Sequence, residues 1–244
     1  MRLDQLLVQR GLYPSREQAQ KAVRAGGVKL ADHRILKPAL AVDENASVEI
    51  LGEPEPFVSR AGRKLDGALH HFGLRPQGWV CLDVGASTGG FTDCLLKKGA
   101  AKVFAVDVGR DQMVEAVRRD PRVHCFEGVN ARYFPSDLLS EPCGLVVVDV
   151  SFISLLKVAP ALLPQIASGG LFLPLIKPQF EVGRSGIGKG GIVRDAAIRS
   201  EVIERRIDQL ASLGLEPMGR CESSLPGSGG NREAFALFRR PQAC

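Results

Sequence analysis

Residues 81–91 read CLDVGASTGGF, a short apolar run closed by an acid and followed at once by glycines. Asp83, Gly85, Ser87 and Gly89 fall in the order acid-x-Gly-x-small-x-Gly, which lets bare backbone approach a ligand at the carboxyl end of a strand. Such turns also occur in dinucleotide enzymes and in loops that bind nothing. A second acid, Asp107, closes the next apolar run, at about the interval where a carboxylate meets a ribose hydroxyl pair. No Gly-Lys-Ser/Thr follows the turn, which excludes a P-loop. Between a nicotinamide and S-adenosylmethionine, an acid ahead of the first glycine favours the second, because a carboxylate attracts its cationic end. Two further charges stand where charges are costly: Asp149 in VVVDVSF and Lys177 in LPLIKPQF each end an apolar run. They are either a mutual ion pair pinning adjacent strands or groups that meet a ligand. Glu233 opens the last apolar run and Lys64 precedes the first, completing a set of four.

These groups need a scaffold. Apolar runs near 80–84, 102–108, 123–126, 145–150 and 171–176 alternate with stretches expected to be helical, which predicts a doubly wound parallel sheet. An amphipathic helix over 195–213 follows, and 215–221 with 233–239 read as a closing strand pair. The expected fold is α/β, a Rossmann-like sheet of seven strands with the last antiparallel, as methyltransferases of that class have. Residues 90–98 continue the glycine turn as a helix. Residues 58–73 form another, with Leu65, Ala68, Leu69 and Phe72 on one face; Lys64 lies off that stripe and is expected to be exposed.

Residues 1–52 read as a separate small α+β module. Leu3, Leu6 and Leu7 recur at helical spacing, and Ser15-x-x-Gln18 is a capping-box signal for a helix from about 16 to 25. Gly26-Gly27 ends it, and 28–30 and 46–51 read as short strands. Over 1–37 eight bases (Arg2, Arg10, Arg16, Lys21, Arg24, Lys29, Arg34, Lys37) face three acids (Asp4, Glu17, Asp32). This is either a solvated face or a phosphate-contacting one. Residues 53–58, with Pro54 and Pro56, form a stiff linker before a second domain over 59–241.

The 244 residues are 45% hydrophobic with a net charge of +5, which leaves room for a full α/β domain beside the small one. Six cysteines without a C-x-x-C pair point to reduced thiols, and four histidines without ligand spacing to no metal site. No apolar run is long enough for a bilayer, and 1–20 carry charges in place of a signal-peptide core, so a cytoplasmic location is expected.

Residues 2–30, RLDQLLVQRGLYPSREQAQKAVRAGGVKL, resemble the small RNA-binding domain first described in ribosomal small-subunit protein four. The resemblance implies an RNA face made of Arg2, Arg16, Lys21, Arg24 and Lys29. After the strand this chain has Ala31-Asp32-His33-Arg34, where that family usually has an Asn-Gly turn. The blocks LDVGASTGGFTDCLL, VDVG, NARY, DVSFISL, KPQFE, GKGGIVRD and GNREAF resemble, in order, the TlyA family of RNA ribose methyltransferases, historically called haemolysins and related to the FtsJ ribose methylases.

That resemblance implies an S-adenosylmethionine-dependent 2′-O-methyltransferase acting on cytidine ribose in small-subunit ribosomal RNA, large-subunit ribosomal RNA or both, within ribosomal subunits. It implies a catalytic tetrad of Lys64, Asp149, Lys177 and Glu233. A ribose 2′-hydroxyl must lose its proton as it attacks, and a lysine takes that proton only as a neutral amine. Lys177 is the candidate base or hydroxyl-steering group, Lys64 the second cation, Asp149 the residue orienting Lys177, and Glu233 the partner of Lys64. Backbone at Gly85, Ala86, Ser87, Thr88, Gly89 and Gly90 is expected to meet the methionine part of the cofactor, near Asp83 and Asp149. Asp107 and Val108 would meet its ribose; Asn130 meets the adenine edge or is only a turn residue. The Gly-rich stretch 180–193 is either a mobile surface loop or a lid in which Arg184 and Lys189 touch phosphate. The rival readings are a pore-forming haemolysin, a non-catalytic RNA-binding assembly factor and a small-molecule methyltransferase.

Overall fold

The computed structural model describes residues 1–13, 16–31, 33–51, 55–183, 188 and 190–242. Ser15 of the predicted capping box, Glu53 and Pro54 of the predicted linker, Arg184 and Lys189 lie outside these. The chain divides into two compact units, Met1–Pro56 and Phe57–Cys244. No described helix is long and apolar enough to cross a membrane.

In the first unit, helices α1 (Leu3–Gln9) and α2 (Arg16–Arg24) precede strands β1 (Val28–Leu30), β2 (His33–Arg34) and β3 (Val48–Ile50). The strands form an antiparallel sheet in the order β2–β1–β3. The predicted apolar positions supply the core: Leu3, Leu7, Ala19, Val23 and Val28 are buried together. Strand β2 was not expected, because His33 and Arg34 are exposed and carry no apolar signal. Backbone pairing of Leu30 with His33 makes it, with Ala31 at φ 49° in the turn. So small a core is reinforced by a polar one. Asp4 is fully buried and accepts hydrogen bonds from Arg2 at 2.9 Å, Gln20 at 2.6 Å and Arg16 at 3.4 Å. The Arg2 guanidinium, followed by Gln20 and Arg16, holds the Asp4 carboxyl down at about 2.

The second unit begins with α3 (Arg60–His71) and continues through β4 (Val80–Val84), α4 (Gly90–Lys97), β5 (Lys102–Asp107), α5 (Glu115–Arg118), β6 (Val123–Glu127) and β7 (Cys143–Val148). Then come α6 (Ala159–Leu162), β8 (Ile166–Ile176), α7 (Pro178–Glu181), α8 (Ala196–Ala211), β9 (Glu216–Glu222) and β10 (Ala234–Arg239). The 7-stranded sheet runs β6–β5–β4–β7–β8–β10–β9, parallel except for β10, which is antiparallel to both neighbours. Alternation along the strands feeds two cores: Leu145 and Val147 pack on the face with α3 and α4, Val146 and Val148 on the face with α6 and α8.

The helices expected between β5 and β8 are shorter than a regular alternation would have. One turn forms at α5, a 3₁₀ turn at Ala131–Tyr133, and α6 spans a single turn. Pro135 and Pro142 interrupt the stretch between β6 and β7, and Pro160 and Pro164 the one between β7 and β8. Strand β8 is instead longer than expected, at 11 residues.

Two glycines let α3 lie unusually close to the start of α4. A Cβ at Gly62 would collide with Phe57 and crowd the Gly90 carbonyl, and one at Gly90 would collide with Ser59 Oγ. The approach carries Lys64, two residues after Gly62, inward.

Candidate active site

The sheet order reverses between β4 and β7, since the chain leaves β4 for β5 on one side and returns to β7 on the other. Ligands of open α/β sheets bind at the carboxyl ends of the strands flanking such a point. Gly85 follows β4 there and Asp149 follows β7. Gly85 takes φ 88°, and a Cβ on it would collide with the Asp149 carbonyl oxygen. Only a glycine lets the two loops touch, and this backbone forms the floor of two adjoining clefts. The smaller, about 190 Å³, is lined by Gly85, Ala86, Ser87, Thr88 and Gly90 on one side and Asp149, Ser151 and Lys177 on the other. The larger, about 560 Å³, has apolar walls from Val106, Val129, Val150, Ile153 and Val158, with Asp107, Val108 and Asn130 at its edge.

Of the expected cofactor residues, Gly85, Ala86, Ser87, Thr88, Gly90, Asp107, Val108, Asn130 and Asp149 line these clefts. Asp107 accepts from the Ser87 and Gly109 amides at 2.8 and 2.6 Å, and its remaining lone pairs can take ribose hydroxyls. The Asn130 side chain accepts from the Arg132 amide, capping the 3₁₀ turn, and Asn130 also lines the larger cleft. Gly89 is the αL residue that opens α4 and lines neither cleft. A glycine floor, an apolar slot and a carboxylate edge fit S-adenosylmethionine.

Asp83 is also absent from both cleft walls. It is fully buried, and Thr92 Oγ1 on α4 donates to it at 2.7 Å. Burial pushes its carboxyl up to about 7, helped by the negative charges of Asp149 and Asp107 and opposed by the Thr92 bond. A raised carboxyl stabilises the fold in its neutral form below about 3.8, and that contribution is lost as pH rises toward about 7. Asp83→Asn should remove the loss. Thermal unfolding from pH 4 to 8 should show the variant gaining on the wild type up to about pH 7, then a constant gap on the order of 4 kcal/mol. A gap independent of pH would rule this out.

The four charged residues form two ion pairs. Lys177 Nζ lies 2.6 Å from Asp149 Oδ1 and donates to Ser151 Oγ at 2.8 Å. Lys64 Nζ donates to Glu233 Oε2 at 2.6 Å, with side-chain exposures of 11% and 2%. The expectation of an exposed Lys64 is thus corrected: the close approach of α3 to α4 buries it against Glu233, just before β10. Gln179 Nε2 donates to the other Glu233 oxygen at 3.1 Å. Because Gln179 follows Lys177 by two residues, it links the second pair to the first. A Cβ at Gly227 would collide with the Glu233 carboxylate, so that loop closes over the pair.

Sequence reasoning missed Ser151, Phe152, Gln179 and the clamp beneath them. Ser151 and Gln179 sit inside DVSF and KPQF, so their neighbours were a signal. Phe152 had none. It is 90% exposed at φ 63°, its ring 4.9 Å from that of Phe180, and it lines the larger cleft. Its loop is tied down by Glu181, which accepts from the Leu155 amide at 2.8 Å and pairs with Arg206 of α8 at 2.6 Å.

In the first unit the expected RNA contacts are placed as follows. Arg2 and Arg16 are half exposed and steered by Asp4. Lys21 and Arg24 are exposed on α2, and Lys29 pairs with Glu49 across the β1–β3 ladder at 3.5 Å.

A seven-stranded sheet with this strand order and a glycine cleft at its switch point defines a Rossmann-like methyltransferase domain. Residues 57–240 match the FtsJ-like methyltransferase family and residues 1–48 the S4 domain. The chain belongs to the FtsJ-like methyltransferases, and within them to the group that carries an S4 domain and includes TlyA. It is 42% identical to the 16S/23S rRNA (cytidine-2′-O)-methyltransferase TlyA of Mycobacterium tuberculosis, over 98% of this chain and 89% of that protein. It is 39% identical to Hemolysin A of Brachyspira hyodysenteriae, over 98% and 99%. A Streptococcus thermophilus structure provisionally classed as a hemolysin superposes with a TM-score of 0.78 at 39% identity, covering 99% of this chain and 88% of that one.

Proposed function

We propose that the protein is an S-adenosylmethionine-dependent 2′-O-methyltransferase of ribosomal RNA, acting in the cytoplasm on a cytidine ribose within ribosomal subunits. The observation that carries this reading is the Lys177–Asp149 pair on the wall of the same cleft as the glycine turn. S-adenosylmethionine, when bound, supplies an electrophilic methyl group whose sulfur departs with the bonding electrons. Lys177 steers the 2′-oxygen into line, and the hydroxyl proton passes to the Lys177–Asp149 pair, on its Asp149 carboxylate, as the new carbon–oxygen bond forms. The buried Lys64–Glu233 pair, held by Gln179, supports Lys177 from behind and supplies a second cation. Phe152 offers an exposed ring on which an unpaired base can stack. Arg2, Arg16, Lys21, Arg24 and Lys29 of the first unit contact RNA phosphates, as would Arg184 and Lys189.

Labelled methyl transfer to naked ribosomal RNA, to each subunit and to whole ribosomes, followed by mapping of the modified nucleotide, tests the reading. Label is expected on a cytidine 2′-oxygen of assembled subunits. No label in any RNA, or label on a base, would refute it.

A further inference from the structure

Ser151 occupies a place that neither the glycine turn nor the four charged residues account for. Its Oγ accepts from Lys177 Nζ at 2.8 Å. It is exposed, and it lines both clefts, the one holding Asp149 and Lys177 and the one holding Asp107 and Asn130. The loop that carries it cannot easily drift. The Leu155 amide is bonded to Glu181, Glu181 is locked to the buried Arg206, and Phe152 is held at φ 63°, a conformation that costs energy and needs such support.

A serine hydroxyl has one proton to donate and two lone pairs. One lone pair is taken by Lys177, and no hydrogen bond from this hydroxyl to another described residue competes for the proton. Its free donor therefore belongs to whatever enters beside Lys177. We propose that Ser151 is a further catalytic residue, donating a hydrogen bond to the ribose 2′-oxygen during methyl transfer; this rests on the function proposed above. The 2′-oxygen gathers negative charge as its own proton leaves for the Lys177–Asp149 pair. A fixed donor opposite stabilises that charge more than it stabilises the starting hydroxyl. The serine keeps its proton throughout: the ribose oxygen gains the methyl carbon, its proton goes to the ion pair, and sulfur takes the electrons of the broken carbon–sulfur bond.

Single-turnover methyl transfer at saturating S-adenosylmethionine, measured for wild type, Ser151→Ala and Ser151→Thr alongside calorimetric cofactor binding, tests this. Ser151→Ala should slow transfer about 10- to 100-fold while cofactor affinity stays within about twofold, and Ser151→Thr should recover at least about a third of the rate. A wild-type rate in Ser151→Ala overturns the proposal and leaves the functional reading standing. A slow rate fully explained by weaker cofactor binding, or no recovery in Ser151→Thr, also overturns it. Wild-type protein that methylates no ribose removes the reading and this inference together.

Discussion

Lys177→Met should slow single-turnover methyl transfer by roughly 10³-fold, the scale of losing a positioned proton-transfer or charge-stabilising group. The side chain stands at the carboxyl end of β8, a strand buried between β7 and β10, so its stem is fixed by the sheet. Its ammonium lies between Asp149 and Ser151 on the cleft wall. Methionine preserves the volume but gives up the charge and every donor. The backbone floor at Gly85 and the Asp107 edge are untouched, so S-adenosylmethionine affinity should stay within about threefold by calorimetry, while Asp149, 17% exposed, loses its counter-charge. Methyl transfer at the wild-type rate would sink the mechanism. Loss of rate and of cofactor binding together would reassign Lys177 to the cofactor. A non-catalytic assembly factor would show no transfer in the wild type either.

Glu233→Ala should cost the second unit about 3–5 kcal/mol, because it strands a buried ammonium without its counter-charge. Lys64 keeps only 11% of its side-chain surface in water, and Glu233 is its partner at 2.6 Å. The same change leaves the Gln179 amide without its acceptor. Lys64→Met combined with Glu233→Leu should recover most of that stability, since a buried pair replaced by apolar groups is often neutral. Denaturant unfolding of the wild type, Lys64→Met, Glu233→Leu and the double variant measures the coupling, and that of Glu233→Ala the loss. A loss under about 1 kcal/mol in Glu233→Ala would mean that water reaches Lys64 and that the pair is a surface contact. Methyl transfer should be lost in the double variant even where the fold is restored, which separates the stability of the pair from its use.

Much of this protein was legible one stretch at a time. Short continuous apolar runs marked the parallel strands, and the glycines after Asp83 marked the turn, because strand burial and positive φ are local demands on residue type. Asp149 and Lys177 could be singled out because a charge at the end of an apolar run is costly wherever the strand ends up. The resemblance to TlyA added Lys64 and Glu233 to that set.

Pairings and burial were another matter. Glu233 and Lys64 are 169 residues apart, and no periodicity tells that α3 presses on the start of α4 while β10 slots in beside β8. Those contacts turned a lysine expected in solvent into a buried partner. The packing of α4 on β4 likewise buried Asp83 against Thr92, away from both cleft walls, and the loop after β7 holds Ser151 against Lys177. The sequence by itself determined the class of fold, the glycine turn and the kinds of charge available for chemistry, because these follow from local sterics and solvation. Only the tertiary structure decided which charges neutralise one another and which donor is left free, because that depends on strand order and on how closely two helices approach.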